Sequence, residues 1–318
     1  MLSKRKSSRS LKNAYKGSVI LRPEAEESHR RSGWDSSALP GLQNDDKSLK
    51  SVLFYRRALN QAKLYLILDA EVRNYDALFE IAKQAVAGGV DVLQLRDKKG
   101  SAENILKFFQ RLLEFFHRNC PQISKSSSFP NALVGNPRQI HSGTGPDEAM
   151  IRPPTKTFGG DSFGISSKKF LMIPFIINDR VDLALACGAS GVHLGQEDVP
   201  VSVARKMMGP EAIIGVSCQN LQQAKQAEQE GADYIGFGSV FKTKTKPQRS
   251  PMDLKLLEEV IRKIKIPIFA IGGIAPENIL TLCRIGVQRI AVCRAICEAE
   301  NVRAAVRGFV SLLGKSKQ

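Results

Sequence analysis

Long apolar runs are missing from this 318-residue sequence. None approaches the roughly 18 residues that a bilayer-crossing helix requires, so a membrane-spanning helix is excluded and no membrane partner is expected. Cys-x-x-Cys pairs and Cys/His zinc spacings are missing too. The six cysteines (Cys120, Cys187, Cys218, Cys283, Cys293 and Cys297) are scattered. Most fall inside apolar patterns, where a free thiol behaves as a small hydrophobe, and a reducing compartment follows more simply than a thiol-bound metal. Residues 1–22 contain no acid at all. That composition suits an organelle transit peptide, but the segment has poor helical amphipathicity. A disordered tail or a start codon placed too far upstream fits equally well, and the cytoplasm is the expected compartment. Interleaved aromatics and a recognition helix are also missing from the basic tail. Nucleic acid is therefore not an expected partner, although basic tails can bind phosphate backbones.

What is present is 42% hydrophobic residues and a formal net charge of +16. The charge is unevenly spread: residues 1–62 carry 13 Lys/Arg against 6 Asp/Glu, and residues 119–170 carry 6 against 3. Neither segment has a sustained hydrophobic period. They are predicted to be a disordered basic extension (1–62) and a Ser/Pro/Gly-rich surface insertion (119–170), the latter joining a helix to a strand on the face away from any active site. Activity is expected to survive deletion of residues 1–58 and shortening of the insertion.

The remaining domain, 63–318, alternates regularly over 63–118 and 171–313. Apolar strands are predicted near 64–68, 90–96, 173–177, 191–194, 212–216, 233–237, 266–271 and 288–292. Each is followed by a helix, near 76–87, 102–118, 180–187, 200–208, 220–230, 252–264, 276–285 and 300–313. Continuous apolar strands alternating with helices indicate a parallel sheet covered on both faces. A repeated junction, with Gly89, Gly188, Gly231 or Gly286 just before a strand, fits a left-handed helix cap. Eight such units predict an α/β fold, a (β/α)8 TIM barrel.

In such a barrel the chemistry gathers at the C-terminal ends of the strands. Strand 2 ends Gln94-Leu95-Arg96-Asp97-Lys98, which places Gln94, Arg96 and Lys98 on one side. Asn178 and Asp179 end strand 3, His193 and Asp198 lie on and after strand 4, and Ser217 ends strand 5. Strand 6 opens into Phe241-Lys242-Thr243-Lys244-Thr245-Lys246, strand 7 ends at Gly272-Gly273, and strand 8 ends Cys293-Arg294-Ala295. Glycines after strand 7 and a helix start after strand 8 suit a phosphate. Arg96, Lys98 and Lys246 with the carboxylates Asp179 and Asp198 suit a pyrophosphate carried with Mg²⁺. His193 reads either as a proton shuttle or as a group that orients its neighbours.

These stretches resemble the thiamine-phosphate synthase family: Gln94–Lys98, Ile177–Arg180, Val192–Asp198, Gly215–Ser217, Gly236–Lys246 and Ala270–Ile274, in the family's order. The resemblance implies a transferase that joins hydroxymethylpyrimidine pyrophosphate to thiazole phosphate and releases pyrophosphate, after dissociation to a pyrimidine carbocation. It implies that Gln94, Arg96, Lys98, Asn178 and Lys246 hold the pyrimidine pyrophosphate, with Arg96, Lys98 and Lys246 catalytic. Asp179 and Asp198 would ligate Mg²⁺, and Ser217 would sit beside the pyrimidine. Thr243 and Thr245 would lie by the thiazole, with Gly272, Gly273 and Arg294 at its phosphate. Small homo-oligomers are implied as well. Arg294 stands where many relatives have Ser, which shifts that contact towards backbone N–H groups. Ser239–Thr243 departs from their Pro-Val-Phe-Pro-Thr. Two other readings are a thiazole tautomerase, whose relatives tend to lack the carboxylate pair, and a non-catalytic sensor of thiamine precursors.

Overall fold

The computed structural model describes residues 55–119, 173–245, 248 and 250–315. The strands are β1 (Leu64–Asp69), β2 (Val92–Arg96), β3 (Phe175–Asn178), β4 (Gly191–Leu194), β5 (Ile213–Cys218), β6 (Tyr234–Phe237), β7 (Ile268–Ile271) and β8 (Ile290–Val292). They pair in sequence order, every pair parallel, and β8 closes on β1. The closed (β/α)8 barrel is therefore present. β2, β3, β7 and β8 each start two residues later than the sequence pattern suggests, and in β3 and β7 the start follows a proline. Pro174 and Pro267 have no N–H to donate, but their carbonyls accept from Leu93 and Ile235.

The helices are α1 (Tyr75–Gly88), α2 (Ala102–Asn119), α3 (Val181–Cys187), α4 (Val201–Met208), α5 (Leu221–Gln229), α6 (Leu254–Lys263), α7 (Ile279–Arg284), α8 (Arg294–Cys297) and α9 (Val302–Lys315). The short α8 between β8 and the last long helix is an addition to the sequence reading. α1 begins where the Asn74 side chain accepts from Ala77 N, and it ends at Gly89, whose φ of 107° lets its N–H return to Ala85 and Val86.

Alternation along the strands makes two cores. Leu64, Leu66 and Leu68 face the helix layer, whereas Tyr65 and Ile67 face the barrel axis with Val92, Ile176, Ile213, Tyr234, Phe269 and Ala291. Leu59 and Ala62, each 1% exposed, join this axial core from below. Leu59 belongs to a helix at residues 55–61, held by Arg56 on Asp233 at 3.1 Å and by Arg289 Nη2 on the Asn60 carbonyl at 2.9 Å. The boundary predicted at residue 62 is thus too late, because an apolar plug was needed under the strands. A deletion of 1–58 would cut this helix, contrary to the tolerance expected above. The other parts of the 1–62 extension and nearly all of the 119–170 insertion lie outside the described residues. Leu59→Ala is expected to cost about 2–5 kcal/mol of stability, read by denaturant unfolding. A loss under about 0.5 kcal/mol, the size of an ordinary surface substitution, would show that the plug is dispensable.

Candidate active site

Six buried polar or charged side chains are found among the described residues: Asp69, Gln94, Arg96, Asn178, His193 and Ser239. All six line one pocket of about 310 Å³ at the C-terminal mouth of the barrel. Five of the six have protein hydrogen-bond partners, and among them only Asn178 Nδ2 is buried without one, a donor left for a ligand. Register explains the convergence. Asp69 lies beside Arg96, and Asn178 pairs with His193, which pairs with Gly215. The same alternation that packs the apolar floor therefore aims these side chains into the mouth.

Two charge clusters flank the pocket. Arg96 Nη1 is bonded to Asp69 at 2.7 Å and to Glu71 at 3.0 Å. Burial pulls the Arg96 pKa down, but the two carboxylates outweigh it and the net shift is upward. Its hydrogen bond to Arg96 holds the Glu71 carboxyl below its ordinary range. Arg96 is thus an anchored cation, already compensated on one nitrogen. The second cluster joins β2, β3 and β4. Lys98 Nζ meets Asp179 at 3.0 Å with about half of the lysine side chain exposed, a pair that water screens and an anionic ligand can displace. Asp97 shapes the loop that presents Lys98, accepting from Lys99 N at 2.9 Å, Gly100 N at 2.6 Å and the Tyr75 hydroxyl at 2.6 Å. Asp179 has a positive φ of 63°, the one non-glycine residue so strained among those described. Asp198 accepts from Gly195 N at 2.5 Å. Its carboxyl is pushed up, first by burial and then by Asp179, against the pull of the Gly195 bond and of Lys98. Asp179 and Asp198 are neighbouring carboxylates, a pair of the kind a hard dication takes when phosphate and water complete its shell, and no group of three or more His, Cys, Asp or Glu placed to hold a metal is found among the described residues.

The far side of the pocket is made by the loops after β6, β7 and β8. Val240 N donates to Ile271 O at 2.9 Å and Phe241 N to Gly272 O at 3.0 Å. A Cβ on Gly272 would sit 2.2 Å from Ser239 Oγ, and one on Gly273 would sit 2.3 Å from the Lys242 carbonyl. The glycines are therefore required by the neighbouring loop as well as by any ligand, which the sequence reading did not include. Arg294, in α8, pairs with Glu298, and its Nε is buried without a partner.

Of the residues singled out in the sequence, the pocket brings together Gln94, Arg96, Asn178, His193, Ser217, Thr243, Thr245, Gly272, Gly273 and Arg294. Lys98, Asp179 and Asp198 stand outside its lining, and Asp198 lines a separate pocket with Leu194, Gly195 and Gln196. Lys246 lies outside the described residues. The sequence reading missed Asp69, Tyr65, Tyr234 and Ser239. Asp69 had a readable signal, an acid closing the apolar run of β1. The two tyrosines had none, because an aromatic inside a strand reads as core.

Similarity to known proteins agrees with this geometry. A family profile described as thiamine monophosphate synthase matches residues 167–296. The thiamine-phosphate synthase of Shouchella clausii is 33% identical over 257 residues, 80% of this chain and 98% of that protein. The one from Ruminiclostridium cellulolyticum is 30% identical over 249 residues, 78% and 94% of the two chains. A solved thiamine phosphate pyrophosphorylase from Pyrococcus furiosus superposes with a TM-score of 0.59 at 28% identity, covering 82% of this chain and 99% of that one. With near-complete coverage of relatives at this identity and the same barrel, the chain belongs to the thiamine-phosphate synthase family of transferases.

Proposed function

We propose that the chain condenses 4-amino-5-hydroxymethyl-2-methylpyrimidine pyrophosphate with thiazole phosphate to give thiamine phosphate and pyrophosphate. The observation that carries this reading is the division of the barrel mouth. One side holds Arg96, with the Lys98–Asp179 pair near it outside the pocket lining, the other holds the glycine turn and Arg294, and the buried polar floor lies between them.

The bond between the pyrimidine methylene carbon and the pyrophosphate oxygen breaks first, and its electron pair leaves with the pyrophosphate. The thiazole nitrogen then gives its lone pair to the methylene cation, forming the new C–N bond. No proton has to move in either step. Arg96, Lys98 and Lys246 hold the departing pyrophosphate. Positive charge is worth most where water is excluded. Gln94, Asn178 and Ser217 hold the pyrimidine, and the buried unpartnered Asn178 Nδ2 is a donor left over for it. Thr243 and Thr245 border the thiazole, with Gly272, Gly273 and Arg294 around its phosphate. Asp179 and Asp198 would hold Mg²⁺, which when bound neutralises developing pyrophosphate charge. The carboxylate pair favours the synthase over a tautomerase or a sensor.

The five cysteines among the described residues are free, which supports a reducing, cytoplasmic setting. No helix among those residues is long and apolar enough to cross a membrane. We further propose small homo-oligomers, and that shortening the 119–170 insertion leaves activity nearly intact.

The test is pyrophosphate release with both substrates and Mg²⁺, omitting each in turn. Release that needs all three, matched by thiamine phosphate, is the expected result. Release without the thiazole phosphate, or none from protein that binds it, would overturn the reading. Metal binding has its own readout. At ten times its dissociation constant Mg²⁺ is expected to stabilise the fold by about 1.4 kcal/mol, seen as a rise in Tm, and Asp198→Asn should abolish the rise. An equal rise in that variant would place the metal elsewhere.

A further inference from the structure

A file of hydrogen bonds crosses the floor of the pocket. Gln94 Nε2 donates to the Tyr65 hydroxyl at 3.0 Å, and the Tyr65 and Tyr234 hydroxyls are 2.8 Å apart. His193 Nδ1 is 3.0 Å from the Tyr234 hydroxyl, and its Nε2 is 2.9 Å from Ser217 Oγ. Tyr65, Tyr234, Gln94 and His193 are all buried, so each proton needs an acceptor within the protein.

The Gln94 end sets the direction. An amide N–H can only donate, so the Tyr65 oxygen accepts there and its own proton goes to Tyr234. Tyr234 then donates to His193 Nδ1, which must be bare. The imidazole carries its proton on Nε2 and gives that hydrogen bond to Ser217 Oγ. Ser217, having accepted from below, keeps its hydroxyl proton for the pocket it lines. Reversing the file would set the Tyr65 proton against the Gln94 N–H, a buried clash of two donors. Burial pushes both phenols well above their ordinary pKa, so both remain donors.

The neighbouring strands make room for the file. A Cβ on Gly215 would lie 2.1 Å from the Tyr234 ring, and one on Gly236 would lie 3.2 Å from His193 Cε1. Larger residues there would displace the phenol or crowd the imidazole.

We propose that Tyr65 and Tyr234 are positioning residues that hold His193 as the neutral Nε2–H tautomer and so fix the Ser217 hydroxyl as a donor to a ring nitrogen of the pyrimidine. The identity of that ligand rests on the synthase reading; the direction of the file does not. A donor aligned before binding costs no reorganisation when the heterocycle arrives.

Ring ¹⁵N NMR of the substrate-free full chain at neutral pH tests the tautomer directly, with His193 assigned by comparison with His193→Gln. The expected spectrum has a protonated Nε2 and a bare Nδ1; an Nδ1–H tautomer or an imidazolium would overturn the proposal. In Tyr234→Phe the tautomer preference is expected to be lost. KM for the pyrimidine pyrophosphate should rise about tenfold, the scale of one hydrogen bond, while KM for thiazole phosphate stays unchanged. Tyr65→Phe leaves Tyr234 beside His193 but removes the Gln94 anchor, and it should act in the same direction. Unchanged KM values in both variants, or equal rises for both substrates, would overturn the positioning role. If the wild-type protein released no pyrophosphate the synthase reading would fail, and the NMR result would still decide the tautomer.

Discussion

Asp179→Asn is expected to lower kcat by about 10²-fold or more, the scale of losing one preorganised electrostatic group. The substitution is well suited to the question. Asn keeps the size of Asp and tolerates the left-handed φ of 63° at this position, so the backbone has no reason to move. What disappears is charge: the partner of Lys98 at 3.0 Å and the neighbour that helps raise Asp198. The variant should also change how stability depends on pH when metal is chelated. Asp198 is raised in the folded protein, so its ionisation works against folding. Wild-type stability is therefore lost as pH climbs from the unfolded carboxylate pKa through the higher folded one. Without Asp179 that loss shrinks. Steady-state kinetics and thermal unfolding across that acidic window check the two expectations. Wild-type kcat, or an undiminished pH-dependent loss, would remove Asp179 from its assigned role.

Gly273→Ala is expected to lower kcat/KM for thiazole phosphate by about 10²-fold, the cost of misplacing a bound reactant by an ångström or so. The new methyl would meet a backbone atom, the Lys242 carbonyl at 2.3 Å, and φ is 63°. Neither can be relieved by a side-chain rotation. The loop that carries Lys242, Thr243 and Thr245 has to move instead, and it forms one wall of the pocket. KM for the pyrimidine pyrophosphate, which is proposed to bind across the mouth, should change much less. Equal losses for both substrates would mean that the fold, rather than the phosphate end, had been damaged.

The barrel itself was readable from local rules. Apolar stretches such as Leu64–Leu68 and Ile235–Phe237 recur between helical patterns, glycines cap helices before strands, and eight repeats close a sheet. Polar residues at strand ends, from Gln94 to Arg294, pointed to one mouth because strands in a parallel barrel share a direction. Other features were not readable, because they depend on what lies opposite. The 55–61 helix looked like part of a basic tail until Leu59 met the underside of the strands. Gly215 and Gly236 begin stretches that the family resemblance covers, but only the rings of Tyr234 and His193 across the strand gap explain why glycine stands there.

The sequence by itself determined that this chain makes an eight-fold βα barrel and where along it the charged and glycine-rich ends fall, since periodicity and turn chemistry act between near neighbours. The tertiary structure alone decided that Arg96 is tied down by Asp69 and Glu71, that Asp179 and Asp198 repel each other, and that two tyrosines read as core carry a proton pattern to Ser217. Each of these is a contact between residues on different strands or in the loops that follow them. Coulomb and hydrogen-bond energies depend on that distance in space, which the order of residues along the chain does not contain.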